Sequence, residues 1–249
     1  MSENLADLRR YRTESIDHFL KAVYHLQQQV DPVPTTLLAQ YLKITAPSVT
    51  DMVKRLAGVE DDKPRKDKEG EKTLHTPLLL EYLPYKGVRL TPDGEKIALE
   101  VIRHHRLIEL YLYQALGYTW DEVHDEADRL EHVISEQLEA RIAAALGDPR
   151  IDPHGDPIPA LDGTIAARDL VLLSELPAHQ EATVSRIIDQ SPEVLRYLSD
   201  LGLTPGAGVE VLTRSPLNDT LTLRVASGTY TISTQVAHKV LMTMEGKKR

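Results

Sequence analysis

The chain has 249 residues, 41% hydrophobic and 27% charged, enough to bury one to three cores of ordinary domain size. No apolar run approaches the ~18 residues a membrane-spanning helix needs, and the N-terminal MSENLADLRRYRTES has no apolar signal-peptide core, so the expectation is a cytoplasmic protein with no membrane partner. Cysteine is absent, which excludes disulfides and thiolate ligands and leaves His, Asp, Glu and carbonyl oxygens to hold any metal. The net charge of −9 argues against a nucleic-acid partner only in total. Residues 1–96 hold 15 Lys/Arg and 15 Asp/Glu, so the acidic excess lies downstream and the N-terminal part is neutral. Contact with DNA depends on the local field.

Thr13 to Gln29 reads as a first helix, with Ile16, Phe19, Leu20, Val23, Tyr24 and Leu26 at helical spacing and Thr13 or Ser15 as its cap. Asp31-Pro32-Val33-Pro34 ends it. A short helix from Thr35 or Thr36 through Leu42 is joined by Lys43-Ile44-Thr45 to another over Ser48 to Leu56, with Pro47 suited to the first turn. Two short helices joined this tightly have the pattern of a helix-turn-helix. Thr45, Ser48, Thr50, Lys54 and Arg55 are hydroxyls and cations of the kind that contact phosphates and base edges. Helical hairpins that never touch DNA share this pattern.

Residues 57–77 are polar and rich in both charges, and read as a mobile insertion without a core. Lys63, Arg65, Lys66, Lys68 and Lys72 could follow a phosphate backbone, but the interleaved Asp and Glu favour a solvated loop. Leu78–Tyr82 and Val88–Leu90 read as two strands of a wing around Pro84-Tyr85-Lys86-Gly87. Thr91 then caps a helix with Pro92 in its first turn. Its apolar surface, from Ile97 to Leu112, is wide enough for a helix–helix or subunit interface. His105 and Glu109 stand four apart on one face, a spacing that also serves plain helix stabilisation.

Trp120 to Leu146 reads as one further helix, free of Pro and Gly until Gly147. It would line up His124, Asp128, Glu131 and His132 on a stripe. Imidazoles and carboxylates together suit divalent manganese or iron, whereas the bland reading is a solvated charged face. Asp148 to Gly163 is dense in Pro and Gly and reads as a linker, in which His154 is a turn or packing residue. Short strands at Ala182–Arg186, Val209–Thr213, Thr220–Val225 and Thr229–Thr234, a helix over Ser191–Leu201 and a closing turn or helix over Gln235–Met242 suggest a small barrel.

Three stretches make the arrangement recognisable: Pro84-Tyr85-Lys86-Gly87-Val88-Arg89-Leu90-Thr91-Pro92-Asp93-Gly94; His104-His105-Arg106-Leu107 with Val123 to His132; and Pro153-His154-Gly155-Asp156-Pro157-Ile158-Pro159. Together they resemble the diphtheria-toxin-repressor and manganese-transport-regulator family of metal-dependent transcriptional regulators, over nearly the whole chain. LGLTPGAGVEVL, within Arg196 to Leu212, is similar to the SH3-like ferrous-iron-transport-A domain of its longer members. The resemblance implies a mainly α fold with small β parts. Residues 1–92 would form a winged helix-turn-helix, 93–148 a helical metal-binding and dimerisation domain, 149–163 a linker and 164–249 an SH3-like barrel.

It also implies two metal sites. A primary site would use His18 (Asp17 being the neighbouring alternative), Asp128, Glu131 and His132. Family members commonly have Met or Asp where His18 stands, and manganese-type members add a Glu where this chain has Lys21, which cannot ligate. A second site would use His105, Glu109 and His124, completed from the barrel by Glu193, with Asp189 and Gln190 as further candidates. Asp128 stands where iron-type members carry Cys, and a carboxylate leans toward Mn(II), with Fe(II) the other possibility. The function implied is repression of metal-uptake genes by a homodimer on a pseudo-palindromic operator, with metal-dependent activation as the alternative. Against a metalloenzyme, neither HExxH nor GxSxG occurs. A metal-buffering adaptor would give the helix-turn-helix and wing no purpose.

Overall fold

The computed structural model describes residues 12–59 and 78–244, in two compact units, Met1–Ile102 and Arg103–Arg249. In the first unit, α1 (Glu14–Gln27) starts where the Thr13 hydroxyl accepts from the Ile16 amide. α2 (Thr35–Leu42) ends at Lys43, whose left-handed backbone (φ 54°) turns the chain sharply into α3 (Ala46–Leu56). α3 begins two residues earlier than its apolar spacing indicates, because the Thr45 side chain caps it by accepting from the Ser48 amide. β1 (Leu80–Leu83) and β2 (Gly87–Leu90) form the antiparallel wing hairpin. Its attachment is specific: Val33 and Val88 exchange both backbone hydrogen bonds at 2.9 Å. A Cβ on Gly87 would stand 2.1 Å from the Val33 carbonyl oxygen, so that position takes glycine alone. Phe19, Leu20, Val23, Leu38, Val49, Val53 and Val88 are fully buried in one core. Arg12 clamps its edge, donating to Asp17 at 2.9 Å and Glu100 at 2.6 Å. Of the charged insertion, residues 60–77 lie outside the described residues, with Lys63, Arg65, Lys66, Lys68 and Lys72 among them.

The long α4 (Pro92–Leu116) begins in the first unit, with the Gly94 amide donating to the Thr91 hydroxyl at 3.1 Å, and its later turns belong to the second. The single helix expected over Trp120–Leu146 is two: α5 (Val123–Leu130) and α6 (Glu136–Ala145). The break has a local cause. Val133 and Ile134 are β-branched and lose side-chain freedom in a helix, and Ser135 caps a new start by accepting from the Leu138 amide. Glu131 and His132 therefore stand in the turn after α5.

The Pro- and Gly-rich stretch after α6 is no loose tether. Asp152, His154, Asp156 and Ile158 are buried. Asp152 Oδ1 accepts the amides of His154 and Asp156, both at 2.9 Å, which folds the stretch into a tight turn. From α4, Arg103 donates to the Pro159 carbonyl at 2.8 Å. The Ile187 amide donates to the His154 carbonyl at 2.9 Å, fastening the turn to the barrel.

The barrel's sheet runs in the order β3-β8-β4-β5-β6-β7, antiparallel throughout. Its strands are β3 (Val171–Leu172), β4 (Gln180–Ile187), β5 (Gly208–Ser215), β6 (Thr220–Val225), β7 (Gly228–Ser233) and β8 (Val240–Thr243). Register shifts at Val184/Arg186 and Val211/Thr213 curl it, as extra strand residues do. α7 (Pro192–Asp200) packs Leu195 and Leu198 into the core with Leu173, Ile187, Val211, Leu223 and Met242. The closing segment is short α8 (Thr234–Ala237) followed by β8. Trp120, from before α5, is buried in this same core.

Gly155 is where linker and barrel touch most closely: at φ 88°, an added Cβ would lie 2.0 Å from the Ser185 carbonyl oxygen. Gly155→Ala is expected to destabilise the protein by more than about 2 kcal/mol through strain and overpacking, read as a lower urea midpoint.

Candidate metal centre

Two consecutive buried histidines on α4 divide their work. His104 donates from Nδ1 to the Glu131 carbonyl at 3.1 Å, and its Nε2 lies 3.3 Å from Glu139 Oε2. Arg103 reaches the other Glu139 oxygen at 2.6 Å. Burial would raise the Glu139 carboxyl, but His104 and Arg103 outweigh it and hold it below the usual range. These contacts fasten α6 and the turn after α5 to α4.

His105 makes the other half. Its Nε2 stands 2.9 Å from Glu109 Oε1, one turn along α4, and 3.2 Å from His124 Nδ1 on α5. His124 Nδ1 is itself 3.2 Å from Glu109 Oε1. The Nδ1 of His105 lies 2.5 Å from Glu131 Oε2 and 3.2 Å from Asp128 Oδ1. A carboxylate only accepts, so Nδ1 carries a proton toward Glu131. In the neutral ring, Nε2 then presents a lone pair toward Glu109 and His124. Donor atoms ~2.1 Å from one ion and at right angles stand ~3 Å apart, the spacing found among His105, Glu109 and His124. The nitrogen and oxygen donors thus fit a divalent cation, with the His105–Glu131 bond orienting the imidazole from behind.

Electrostatics point the same way. Burial pushes the Glu109 carboxyl up, but His105, with His124 and His154, more than reverses this and holds it well below the usual range. Glu131 is completely buried, with Oε1 at 3.4 Å from His132 Nε2. Asp128, half-buried, has Oδ2 at 3.6 Å from His124 Nε2. His105, Asp128 and Glu131 form a second convergent donor group. The two expected ligand sets are therefore linked in this unit by the His105 ring. His18 lies half-buried on α1 in the first unit, with Asp17 buried beside it.

The barrel residues expected to complete the second site are engaged elsewhere or exposed. Glu193 is exposed in the first turn of α7 and belongs to none of the convergent donor groups among the described residues. Asp189 accepts from Lys239 at 2.8 Å, and Gln190 donates to Asp156 at 2.5 Å. The linker comes close instead. His154 is wholly buried with Nδ1 at 3.8 Å from Glu109 Oε2, and Glu109, Asp152 and His154 form another convergent group. Burial, with Asp156 and Glu109 nearby, pushes the Asp152 carboxyl up to about 7. The signal in the sequence was a histidine between two aspartates, Asp152 and Asp156, inside a segment whose composition reads as a linker.

Comparison with known proteins gives this architecture relatives along its length. Residues 12–60 match the family model of the iron dependent repressor N-terminal DNA binding domain. Residues 91–160 match the metal binding and dimerisation domain of the same repressors, and 171–244 the FeoA domain. The iron-dependent repressor IdeR of Mycobacterium leprae is 29% identical over 239 residues, covering 91% of this chain and 96% of that protein. A solved manganese-dependent transcriptional repressor in complex with manganese is 32% identical, with a TM-score of 0.77, over 92% of this chain and all (100%) of that one. Another manganese-dependent transcriptional repressor is 39% identical with a TM-score of 0.60, over 63% of this chain and 85% of that one. The chain belongs to the diphtheria-toxin-repressor family.

As a member of that family, it carries the residues expected to meet DNA on and just before α3. Thr45, Ser48, Thr50 and Arg55 are exposed and Lys54 is half-buried. Thr45 and Ser48 share a hydroxyl hydrogen bond at 2.8 Å, and Thr50 donates to the Ala46 carbonyl at 3.0 Å. These hydroxyls sit at the start of the helix, where amides and the helix dipole favour an anion.

Glu109 Oε1 contacts both histidines of the His105–His124 group. Glu109→Gln is expected to weaken Mn(II) binding at that group at least tenfold in calorimetric titration while the fold is retained. An unchanged isotherm would remove Glu109 from the ligand set.

Proposed function

We propose that this member of the diphtheria-toxin-repressor family is a metal-dependent, DNA-binding transcriptional repressor that Mn(II) or Fe(II) activates. The observation that carries the reading is the convergence of His105, Glu109 and His124 in a chain that also holds a helix-turn-helix and wing. The relatives are iron- and manganese-dependent repressors by name.

In this proposal the primary ion is held by Asp128, Glu131 and His132 together with His18 from α1. The second is held by His105, Glu109 and His124. A bound divalent ion supplies concentrated positive charge to donors that otherwise face one another as acceptors. His105 keeps its Nδ1 proton on Glu131 and offers Nε2, so that the two ligand sets are oriented together. The absence of thiolate donors, with Asp128 where iron-type members carry Cys, favours Mn(II). Thr45, Ser48 and Thr50 position α3 on phosphates or base edges, while Lys54 and Arg55 contact the backbone. A homodimer would set two copies of α3 in successive major grooves of a pseudo-palindromic operator. The metal biases the DNA-competent state only by its differential affinity for the two states.

A duplex selected from a random library in Mn(II) supplies the probe. Fluorescence anisotropy is expected to show at least tenfold tighter binding in Mn(II) than in chelator, and Asp128→Ala to lose that difference. Equal affinity in both conditions would sink the regulator reading. On the same duplex, Arg55→Ala is expected to weaken binding evenly across sequences and lower the slope of log affinity against log salt by about 1. A changed base preference with an unaltered slope would instead put Arg55 on a base edge.

A further inference from the structure

We propose that Asp51 is a base-reading residue, its carboxylate accepting from the N4 amine of a cytosine in each half of the operator. The proposal rests on the reading of this chain as a DNA-binding regulator with α3 in the major groove.

Asp51 is the only acidic residue of α3. It is exposed, in the second turn, on the side opposite Val49, Val53 and Leu56, which are buried in the core. Pro47 and Ser48 before it and Arg55 after it share the exposed stripe. Among the described residues, no contact calls for a carboxylate here. Thr45 already caps the helix, accepting from the Ser48 amide. The helix dipole favours an acid only in the first turn. Arg55 stands four residues on, the spacing of a helix-stabilising ion pair. Its Nη2 donates instead to Met52 Sδ at 2.9 Å. Among the described residues, Asp51 is left with no hydrogen bond or ion pair.

An ionised carboxylate only accepts, and DNA phosphates offer acceptors alone, so Asp51 and the backbone repel. Beside a duplex this side chain lowers affinity unless a donor meets it. The donors in the major groove are the amines of cytosine (N4) and adenine (N6). Adenine sets its N7 acceptor beside N6, where it repels the second carboxylate oxygen. Cytosine has no acceptor of its own on that edge, and is therefore the base a carboxylate selects. Aspartate is short, so it reaches a base edge only where the helix lies deep in the groove. Its neighbours Pro47 and Ser48 are short as well and leave room for that approach. Thr50 donates its hydroxyl proton to the Ala46 carbonyl at 3.0 Å, and Thr45 and Ser48 share one at 2.8 Å. These hydroxyls therefore have fewer protons for base edges than their number suggests, whereas the Asp51 carboxylate is unengaged.

The test uses the full chain in Mn(II), fluorescence anisotropy and the duplex that wild type selects from a random library. Each base pair of the half-site is replaced in turn by the other three, in both halves together. Wild type is expected to have a C·G pair whose replacement weakens binding about tenfold or more. Asp51→Ala should bind all four pairs at that position within about twofold of one another, with its other preferences kept. Asp51→Asn, whose carboxamide bonds both N6 and N7 of adenine, should prefer A·T there. The inference is overturned if Asp51→Ala changes the affinity for every duplex by one factor, in either direction, with the ranking unchanged. The carboxylate would then act on the backbone alone. A wild type that enriches no sequence from the library fails the regulator reading. A wild type that selects an operator whose ranking Asp51→Ala keeps fails this inference alone.

Discussion

The grip of one imidazole on two buried carboxylates is the constraint from which the second unit's arrangement follows. His105 stands between Glu109 and Glu131, at 2.9 and 2.5 Å, and both acids are essentially excluded from water. A buried ionised carboxylate costs several kcal/mol unless a cation and hydrogen bonds compensate it. The neighbouring Glu139 has permanent compensation, an arginine on one oxygen and His104 by the other. Glu109 and Glu131 share a ring that, when neutral, has a single proton to give. Glu139 is thus compensated by an arginine and a histidine, whereas Glu109 and Glu131 are compensated by the imidazoles around them, His105 shared between the two.

That contrast separates scaffold from switch on the same helix. The Arg103–Glu139 and His104–Glu131 contacts hold α6 and the turn after α5 against α4. The donors around His105 are held close by those contacts, so they are gathered before any cation arrives. A cation gains more free energy from gathered donors than from dispersed ones, and a metal-gated equilibrium requires that gain to differ between its two states. The DNA side needs no such gathering: Thr45, Ser48 and Thr50 present hydroxyls at a capped helix start. In the proposed function, reading DNA and sensing metal thus fall to chemically separate residues.

How much of this was legible in the sequence depended on whether a feature was local. The helix-turn-helix, the wing and most barrel strands follow from apolar spacing and from turn residues such as Pro34, Gly87 and Asn218. The His105/Glu109 pair was legible because four residues make one helical turn. The division of the expected Trp120–Leu146 helix was not, since the apolar pattern continues across it and only the Ser135 cap and two β-branched residues mark the break. Nor was the burial of the linker, because Pro- and Gly-rich composition is the same for a tether and for a packed turn. The identity of residues opposite Glu109 is a tertiary fact. The family resemblance pointed to Glu193 in the barrel, with Asp189 and Gln190 beside it, whereas the turn packed at Gly155 against Ser185 sets His154 at 3.8 Å from Glu109.

The donor chemistry also bears on how such a protein can answer to manganese or iron when zinc binds most nitrogen and oxygen sites more tightly. Raw affinity favours the wrong metal, so discrimination has to come from what each ion does to the ligands. Zinc settles into four-coordinate tetrahedral sites. On His105, Glu109 and His124 it would leave part of the surrounding carboxylate charge unengaged. An ion accepting more donors draws in more of the oxygens gathered along α4, α5 and the linker. Because the metal acts through the difference it makes between two states, the ion that engages the most donors shifts the equilibrium furthest, even if it is not the one that binds most tightly. A donor field rich in carboxylates and free of sulfur is therefore a means of selecting a weakly binding metal by its coordination number.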